Sequence, residues 1–73
     1  MNIPYSMIIQ WSSEDECYLV HLPDFPFQQF HTHGETYEEA AKHGQEAIES
    51  LIEWYQAEGK QLPTPKTVIN LAA

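Results

Sequence analysis

The first half of the chain alternates between hydrophobic and polar residues with a period of two, a pattern typical of β-strands. Residues 5–11 (YSMIIQW) and 17–22 (CYLVHL) follow it, and residues 28–33 (QQFHTH) follow it more weakly. The polar residues 12–16 (SSEDE) predict a turn, so the first two segments should form a hairpin. Residues 23–26 contain two prolines, which cannot donate hydrogen bonds to a sheet, and predict that the chain leaves the sheet there.

The second half predicts one long helix over residues 37–58, because apolar residues recur at intervals of three and four. This stripe consists of Tyr37, Ala40, Ala41, Gly44, Ala47, Ile48, Leu51 and Tyr55. Thr36 is placed to cap the helix start, with Glu39 reaching back to the Thr36 amide in a capping box. Gly59 is placed to end the helix, and residues 66–71 (KTVINL) predict a last short strand.

These elements predict an α+β fold of order β-β-β-α-β, in which a small, mostly antiparallel sheet packs one face against the helix. The 73 residues are expected to form a single domain, 1–73, with a small core. The single cysteine, Cys17, excludes an internal disulfide and a Cys-based zinc cluster. We therefore expect self-association, as a homo-oligomer, to supply additional stability.

The chain is strongly acidic, with eleven acidic residues against three lysines, no arginine and a net charge of −8. Nucleic-acid binding requires Lys and Arg to neutralise phosphates, so direct binding of DNA or RNA is not expected. The acidity suits either a basic partner or simple solubility, and charge alone favours solubility. No N-terminal stretch predicts a signal peptide or a membrane span, and the expected location is the cytoplasm.

Several short segments together resemble a known family. They are Tyr18, Leu22-Pro23-Asp24-Phe25-Pro26, Gly34-Glu35-Thr36-x-Glu38-Glu39-Ala40, Glu46-Ala47, Gly59 and Leu62-Pro63-x-Pro65. In their order and spacing, over residues 5–65, they are similar to the HicB-like antitoxins of bacterial toxin–antitoxin pairs. The resemblance implies a partial ribonuclease-H-like fold and a homo-oligomer. It also implies that the chain binds and silences a small basic ribonuclease toxin of the HicA-like kind.

The sequence departs from the family pattern at two places. Many members carry a separate C-terminal DNA-binding domain, which we do not expect in a chain whose sequence ends at Ala73. Operator binding is therefore not part of the expectation. After the proline turn, Phe27-Gln28 stands where the family often has Gly-Cys.

No catalytic residue and no cofactor are predicted. A metal-dependent nuclease needs several carboxylates that converge from strand and helix, and the predicted strands carry none. His31 and His33 share a strand face and are weak metal candidates, with Glu35 or His21 as possible further ligands. We favour a surface pair without metal, because only two ligands are clearly placed.

Charge and exposed rings indicate which residues a partner would contact. The acidic candidates are Asp24, Glu35, Glu38 and Glu39. The aromatic candidates are Phe25 and Phe27 in the proline-rich turn and Trp54 on the helix shoulder. For Trp11, Tyr18 and Tyr55 we expect burial in the core.

Two functional hypotheses follow. The leading one is an antitoxin that uses these residues to bind a basic ribonuclease toxin. The alternative is an orphan oligomeric interaction module without catalytic activity.

Overall fold

Three antiparallel strands followed by one long helix form an α+β domain in the computed structural model, which confirms the predicted fold class. The structure describes residues 4–25 and 32–65. The elements are β1 (Ile8–Ser12), β2 (Cys17–His21), β3 (Thr32–Gly34) and α1 (Tyr37–Ala57). The sheet order is β1-β2-β3, so β1 and β2 form the expected hairpin.

The strands differ from the predicted segments at their ends. β1 begins at Ile8 instead of residue 5, and it extends to Ser12. β2 ends at His21, one residue before the predicted end, because Leu22 already belongs to the following turn. The carbonyl of Leu22 closes this turn by accepting a hydrogen bond from the N–H of Phe25 at 3.1 Å. Residues 28–31 of the third predicted strand, and the last predicted strand, 66–71, lie outside the described residues.

The register of the sheet divides its side chains between two faces. The face toward α1 carries Ile9, Trp11, Tyr18, Val20 and Thr32. The opposite face carries Ile8, Gln10, Cys17, Leu19, His21 and His33. The helix lies mainly over β3 and β2 and only reaches the edge of β1. Within the described residues, no helix covers the second face.

The core lies between the sheet and the helix. Its buried hydrophobic residues are Val20, Leu22, Phe25, Ala40, Ile48 and Tyr55. Small residues in the first half of α1 allow the rest of the domain to approach the helix closely. A Cβ added to Gly44 would lie 2.9 Å from the Sδ of Met7, and one added to Gly34 would lie 2.6 Å from the Cα of Ala40. The backbone at the start of α1 therefore lies in close contact with the backbone of β3.

The start of α1 is capped by Thr36, whose Oγ1 accepts a hydrogen bond from the N–H of Glu39 at 3.0 Å. This confirms the predicted N-cap. The carboxylate of Glu39 accepts from the N–H of Glu35 at 3.0 Å, instead of from the Thr36 amide as expected. The bond therefore reaches one residue further back and ties the connection after β3 to the first turn of the helix.

The helix ends at Ala57, one residue before the predicted end, with Glu58 as the C-cap. Gly59 has a φ of 67°, the left-handed conformation that glycine adopts without strain. The N–H of Lys60 donates to the carbonyl of Tyr55 at 2.9 Å, and the N–H of Gly59 donates to that of Gln56 at 3.2 Å. These two bonds form a Schellman motif, so the predicted stop at Gly59 is confirmed.

Candidate partner-binding surface

Acidic residues gather at one end of the sheet. β1 ends at Ser12 opposite Cys17, and Tyr18 pairs with Gly34, so these strand ends lie side by side. The residues beside them, all exposed, are Glu14, Asp15, Glu16, Glu35, Glu38 and Glu39. We call these six residues the acidic end. They supply six of the eleven acidic side chains in the sequence.

An open groove shows that the two acidic segments are close together in space. It is lined by Asp15, Glu16, Cys17, Leu19, His33 and Glu35. It therefore draws carboxylates both from the β1–β2 turn and from the connection between β3 and α1. The turn is held by Ser12, whose hydroxyl donates to the carboxylate of Asp15 at 3.1 Å and accepts from the Asp15 N–H at 3.2 Å.

The helix start can hold these negative charges at little cost. Glu38 and Glu39 lie in the first turn of α1, where the helix dipole is positive and stabilises anionic side chains. The Glu39 carboxylate also satisfies the backbone N–H of Glu35. These carboxylates therefore support the fold while they present negative charge to solvent.

Three rings form a row at the same end of the sheet. Trp11 faces Tyr18 across β1 and β2 with ring centroids 5.1 Å apart, and Tyr18 lies 4.4 Å from Tyr37 at the helix start. The side-chain hydrogen bond between Tyr18 and Tyr37 is the main cause that raises the pKa of the Tyr18 hydroxyl, and desolvation adds to it. We call Trp11, Tyr18 and Tyr37 the aromatic row.

Both ends of the aromatic row are open to solvent. Trp11 is 56% exposed and Tyr37 is 64% exposed, while Tyr18 between them is half-buried. The expectation that Trp11 lies in the core is wrong, because the helix covers β3 and β2 better than the edge strand β1. Sequence reasoning missed this row as a site. The available signal was the position of Trp11 beside the acidic turn, at the end of its strand.

Phe25 lies inside the domain, with 1% of its surface exposed. Its ring centroid is 4.9 Å from that of Tyr5 and 5.9 Å from that of Tyr55. The backbone N–H of Phe25 closes the turn that begins at Leu22. The expectation of an exposed apolar patch at Phe25 is therefore wrong, and Phe27 lies outside the described residues.

Asp24, the acidic candidate of the same turn, is also buried, with 6% exposed. Its Oδ2 accepts a hydrogen bond from the backbone N–H of Ser6 at 3.0 Å. The carboxylate is thus engaged within the fold. Asp24 does not join the three exposed acidic candidates Glu35, Glu38 and Glu39 at the sheet end.

Trp54 lies near the other end of α1 and is 44% exposed, in agreement with its predicted position on the helix shoulder. The Nζ of Lys60 lies 4.5 Å from the centroid of its ring, and the ring of Tyr55 packs edge-on at 5.3 Å. Trp54 follows Tyr37 by seventeen positions along the helix, which corresponds to about 26 Å. Trp54 is therefore remote from the acidic end.

Of the two histidine candidates, the structure describes only His33. His33 is exposed, and its carbonyl oxygen lies 2.6 Å from the Nδ1 of His43. His31 lies outside the described residues. Among the residues that the structure describes, no group of three or more His, Cys, Asp or Glu side chains could hold a metal ion. β1, β2 and β3 contain no Asp or Glu.

Comparison with known proteins gives the class of the chain. The family model of the HicB-like antitoxins of bacterial toxin–antitoxin systems matches residues 5–73. The chain belongs to this family, which confirms the resemblance found in the sequence. Searches of curated proteins and of solved structures returned no match. The helix of the described chain is not apolar enough to cross a membrane.

Proposed function

We propose that this chain is the antitoxin of a type II toxin–antitoxin pair and neutralises a small basic ribonuclease toxin of the HicA-like kind in the cytoplasm. Its own role is binding and not catalysis. Membership of the family supports the general role. The observation that carries the proposal is the acidic end, where six exposed acidic residues lie beside the ends of three strands and three of them, Asp15, Glu16 and Glu35, share one groove.

The acidic end suits competition with RNA. A ribonuclease binds the phosphates of its substrate with Lys and Arg side chains. Carboxylates pair with the same cations, and they pair with arginine through two parallel hydrogen bonds. Glu35, Glu38 and Glu39 are the candidate residues that the fold leaves exposed for this purpose. A toxin held there would have part of its RNA-binding surface covered.

The proposal does not extend to Asp24 and Phe25, because both side chains are buried. Trp54 fits only as a second contact, since it lies about 26 Å along the helix from the acidic end. An interface that reached it would have to follow the whole length of α1.

The second candidate function is an orphan oligomeric interaction module. It is favoured by the sheet face that no described helix covers, where Ile8 is 42% exposed and Leu19 is half-buried. A second copy of the chain that packed against this face would bury both side chains. This reading predicts a stable homo-oligomer with no ribonuclease partner.

The test begins with capture from the lysate of the native host, at low and at moderate salt. Captured small basic proteins are then purified and assayed for RNA cleavage with and without added chain. A captured protein that cleaves RNA, and is suppressed by the chain, supports the antitoxin. Capture of nothing except further copies of the chain contradicts it and supports the oligomeric module.

A further inference from the structure

The aromatic row is unusual because its rings stand open to solvent at both ends instead of closing the core. Trp11 and Tyr37 are each more than half exposed, while Phe25 and Tyr55 fill the core beneath the helix. Large exposed rings that lie in contact with one another are typical of binding surfaces. The row therefore requires an explanation other than the stability of the domain.

The nearest charges along the chain are all negative. Glu16 lies two residues before Tyr18 on the turn side, and Glu35 follows Gly34, the β3 residue that pairs with Tyr18. Glu38 follows Tyr37 directly at the helix start. The row therefore lies at the acidic end of the sheet. Glu38 is beside Tyr37 at the helix start, whereas Glu16 and Glu35 line the groove on the opposite sheet face, with Cys17, Leu19 and His33. The first lysine of the helix, Lys42, comes a turn later.

We propose that the aromatic row is a docking site for an arginine side chain of a basic protein partner, with Trp11 and Tyr37 as the rings that contact the guanidinium group. The inference rests on the proposed function in that the partner is a basic protein, and it specifies where one of that partner's cations is held. Aromatic faces attract cations, and the Glu38 carboxylate next to Tyr37 would supply a hydrogen-bond acceptor for the same group.

Charge decides between the possible occupants of this surface. A second copy of the chain would bring its own charge of −8, and a symmetric contact would place one acidic end against another. Like charges at short distance oppose such a contact, and they also oppose binding of an anionic lipid surface. A cationic partner relieves this repulsion instead of adding to it.

Arginine fits the row better than lysine. Its planar guanidinium stacks on a ring while its edge donates to a carboxylate, whereas an ammonium acts as a compact, strongly hydrated point charge. At the other end of the helix the chain contains a cation–π contact of its own, in which Lys60 lies over the ring of Trp54. Trp54 is therefore the natural control, because its ring already has a cation of the same chain beside it.

The test is an NMR titration of the whole chain with a short peptide of alternating glycine and arginine. The two tryptophans give separate indole N–H signals, one in the aromatic row and one as the control. We expect a saturable shift at Trp11 that clearly exceeds the shift at Trp54, and tighter binding than by the matched glycine–lysine peptide. Equal shifts at both indoles, or equal affinity for the two peptides, would overturn the proposal.

Substitutions locate the site. Trp11→Leu and Tyr37→Leu should each weaken the arginine peptide by about two- to five-fold, as expected for the loss of one exposed cation–π contact. Trp11→Phe should retain most of the affinity, and Gln56→Ala, at an exposed position on the last turn of α1, should leave it unchanged. Circular dichroism verifies that each variant is folded. A Trp11→Leu variant that is folded and binds as well as the unmodified chain contradicts the docking site.

Two further outcomes distinguish the arginine docking site from the antitoxin function on which it rests. A shift of the Trp11 indole on simple concentration of the chain, without peptide, would show that a second copy occupies the row, and would overturn the proposal. If the Trp11→Leu and Tyr37→Leu variants suppress the ribonuclease as well as the unmodified chain does, the antitoxin function stands, but the aromatic row is not part of the toxin-binding site. Failure to suppress any ribonuclease would contradict the function, while the peptide titration still decides the docking site.

Discussion

The carboxylate of Asp24 accepts a hydrogen bond from the backbone N–H of Ser6 at 3.0 Å and so joins the turn after β2 to the segment before β1. The adjacent residue, Tyr5, places its ring 4.9 Å from that of Phe25 and donates its hydroxyl to the carbonyl of Pro63 at 2.7 Å. Three segments distant in sequence therefore meet at this turn. Its acidic and aromatic residues stabilise the fold.

Removal of the Asp24 carboxylate should destabilise the domain. Asp24→Ala leaves the Ser6 N–H without its acceptor, at an expected cost of about 1–3 kcal/mol in the free energy of unfolding. Asp24→Asn keeps an acceptor oxygen and should cost less. Urea denaturation measures both variants. A change within about 0.5 kcal/mol for Asp24→Ala, as for an ordinary surface site, would contradict this role.

The effects of substitutions at Phe25 and Trp11 on stability should be the reverse of what the sequence predicted, since it placed Trp11 in the core and Phe25 in an exposed patch. Phe25→Ala empties a buried site and should cost about 3–5 kcal/mol of unfolding free energy. Trp11→Ala removes one edge-on ring contact with Tyr18 and should cost about 1 kcal/mol. The same denaturation measurement compares them. Equal costs would show that Trp11 belongs to the core after all.

The sequence was sufficient to predict the strands and the helix because each carried a local signal. Alternation marked β1 and β2, the three-and-four spacing marked α1, and Thr36 and Gly59 marked its ends. These signals depend on neighbouring residues, so they can be read without knowledge of the packing.

The positions of Trp11 and Phe25 depend on how the elements pack and could not be predicted in this way. Alternation placed Trp11 on the inner face of the sheet, but it could not show that the helix lies mainly over β3 and β2. The prolines around Phe25 indicated a turn, which usually suggests exposure. The rings of Tyr5 and Tyr55, from distant parts of the chain, cover it instead.

A side chain at Gly34 should be far more disruptive than one at Gly59. A Cβ at Gly34 would lie 2.6 Å from the Cα of Ala40 and 2.8 Å from the carbonyl carbon of Glu39, both of which are backbone atoms that cannot move aside. We expect Gly34→Ala to cost about 3 kcal/mol. A Cβ at Gly59 would meet nothing within 4 Å. Gly59→Ala should therefore lower the free energy of unfolding by only about 1 kcal/mol, the cost of the left-handed backbone conformation.

Thermal or urea denaturation of the two alanine variants provides the comparison. A Gly34→Ala variant as stable as Gly59→Ala would show that β3 and the helix start are further apart than described.

Stability should decline in alkaline solution. Burial raises the pKa of Tyr5, with the charge of Asp24 adding to it, and the hydrogen bond with Tyr37 raises the pKa of Tyr18. The unfolded chain then loses these protons at lower pH than the folded chain. Their contribution is therefore complete below about pH 10, the ordinary tyrosine value, and is lost as the pH rises toward the raised values.

Urea denaturation at a series of pH values from neutral to about 11 measures this slope. The double variant Tyr5→Phe, Tyr18→Phe should be less stable at neutral pH, because Tyr5 loses its bond to Pro63, and its stability should depend less on alkaline pH. An unchanged alkaline slope in the double variant would show that other groups cause it.

Inhibition of RNA cleavage by matched charge variants tests most directly whether the acidic end neutralises a basic ribonuclease. One variant replaces Glu35, Glu38 and Glu39 by glutamine, and the other replaces Glu46, Glu49 and Glu53, which are also exposed and lie on later turns of α1, by glutamine. Both variants remove three negative charges. We predict that the first raises the concentration needed for half inhibition by about tenfold, and more so at low salt, while the second changes it little. Equal inhibition by the two variants would contradict the account.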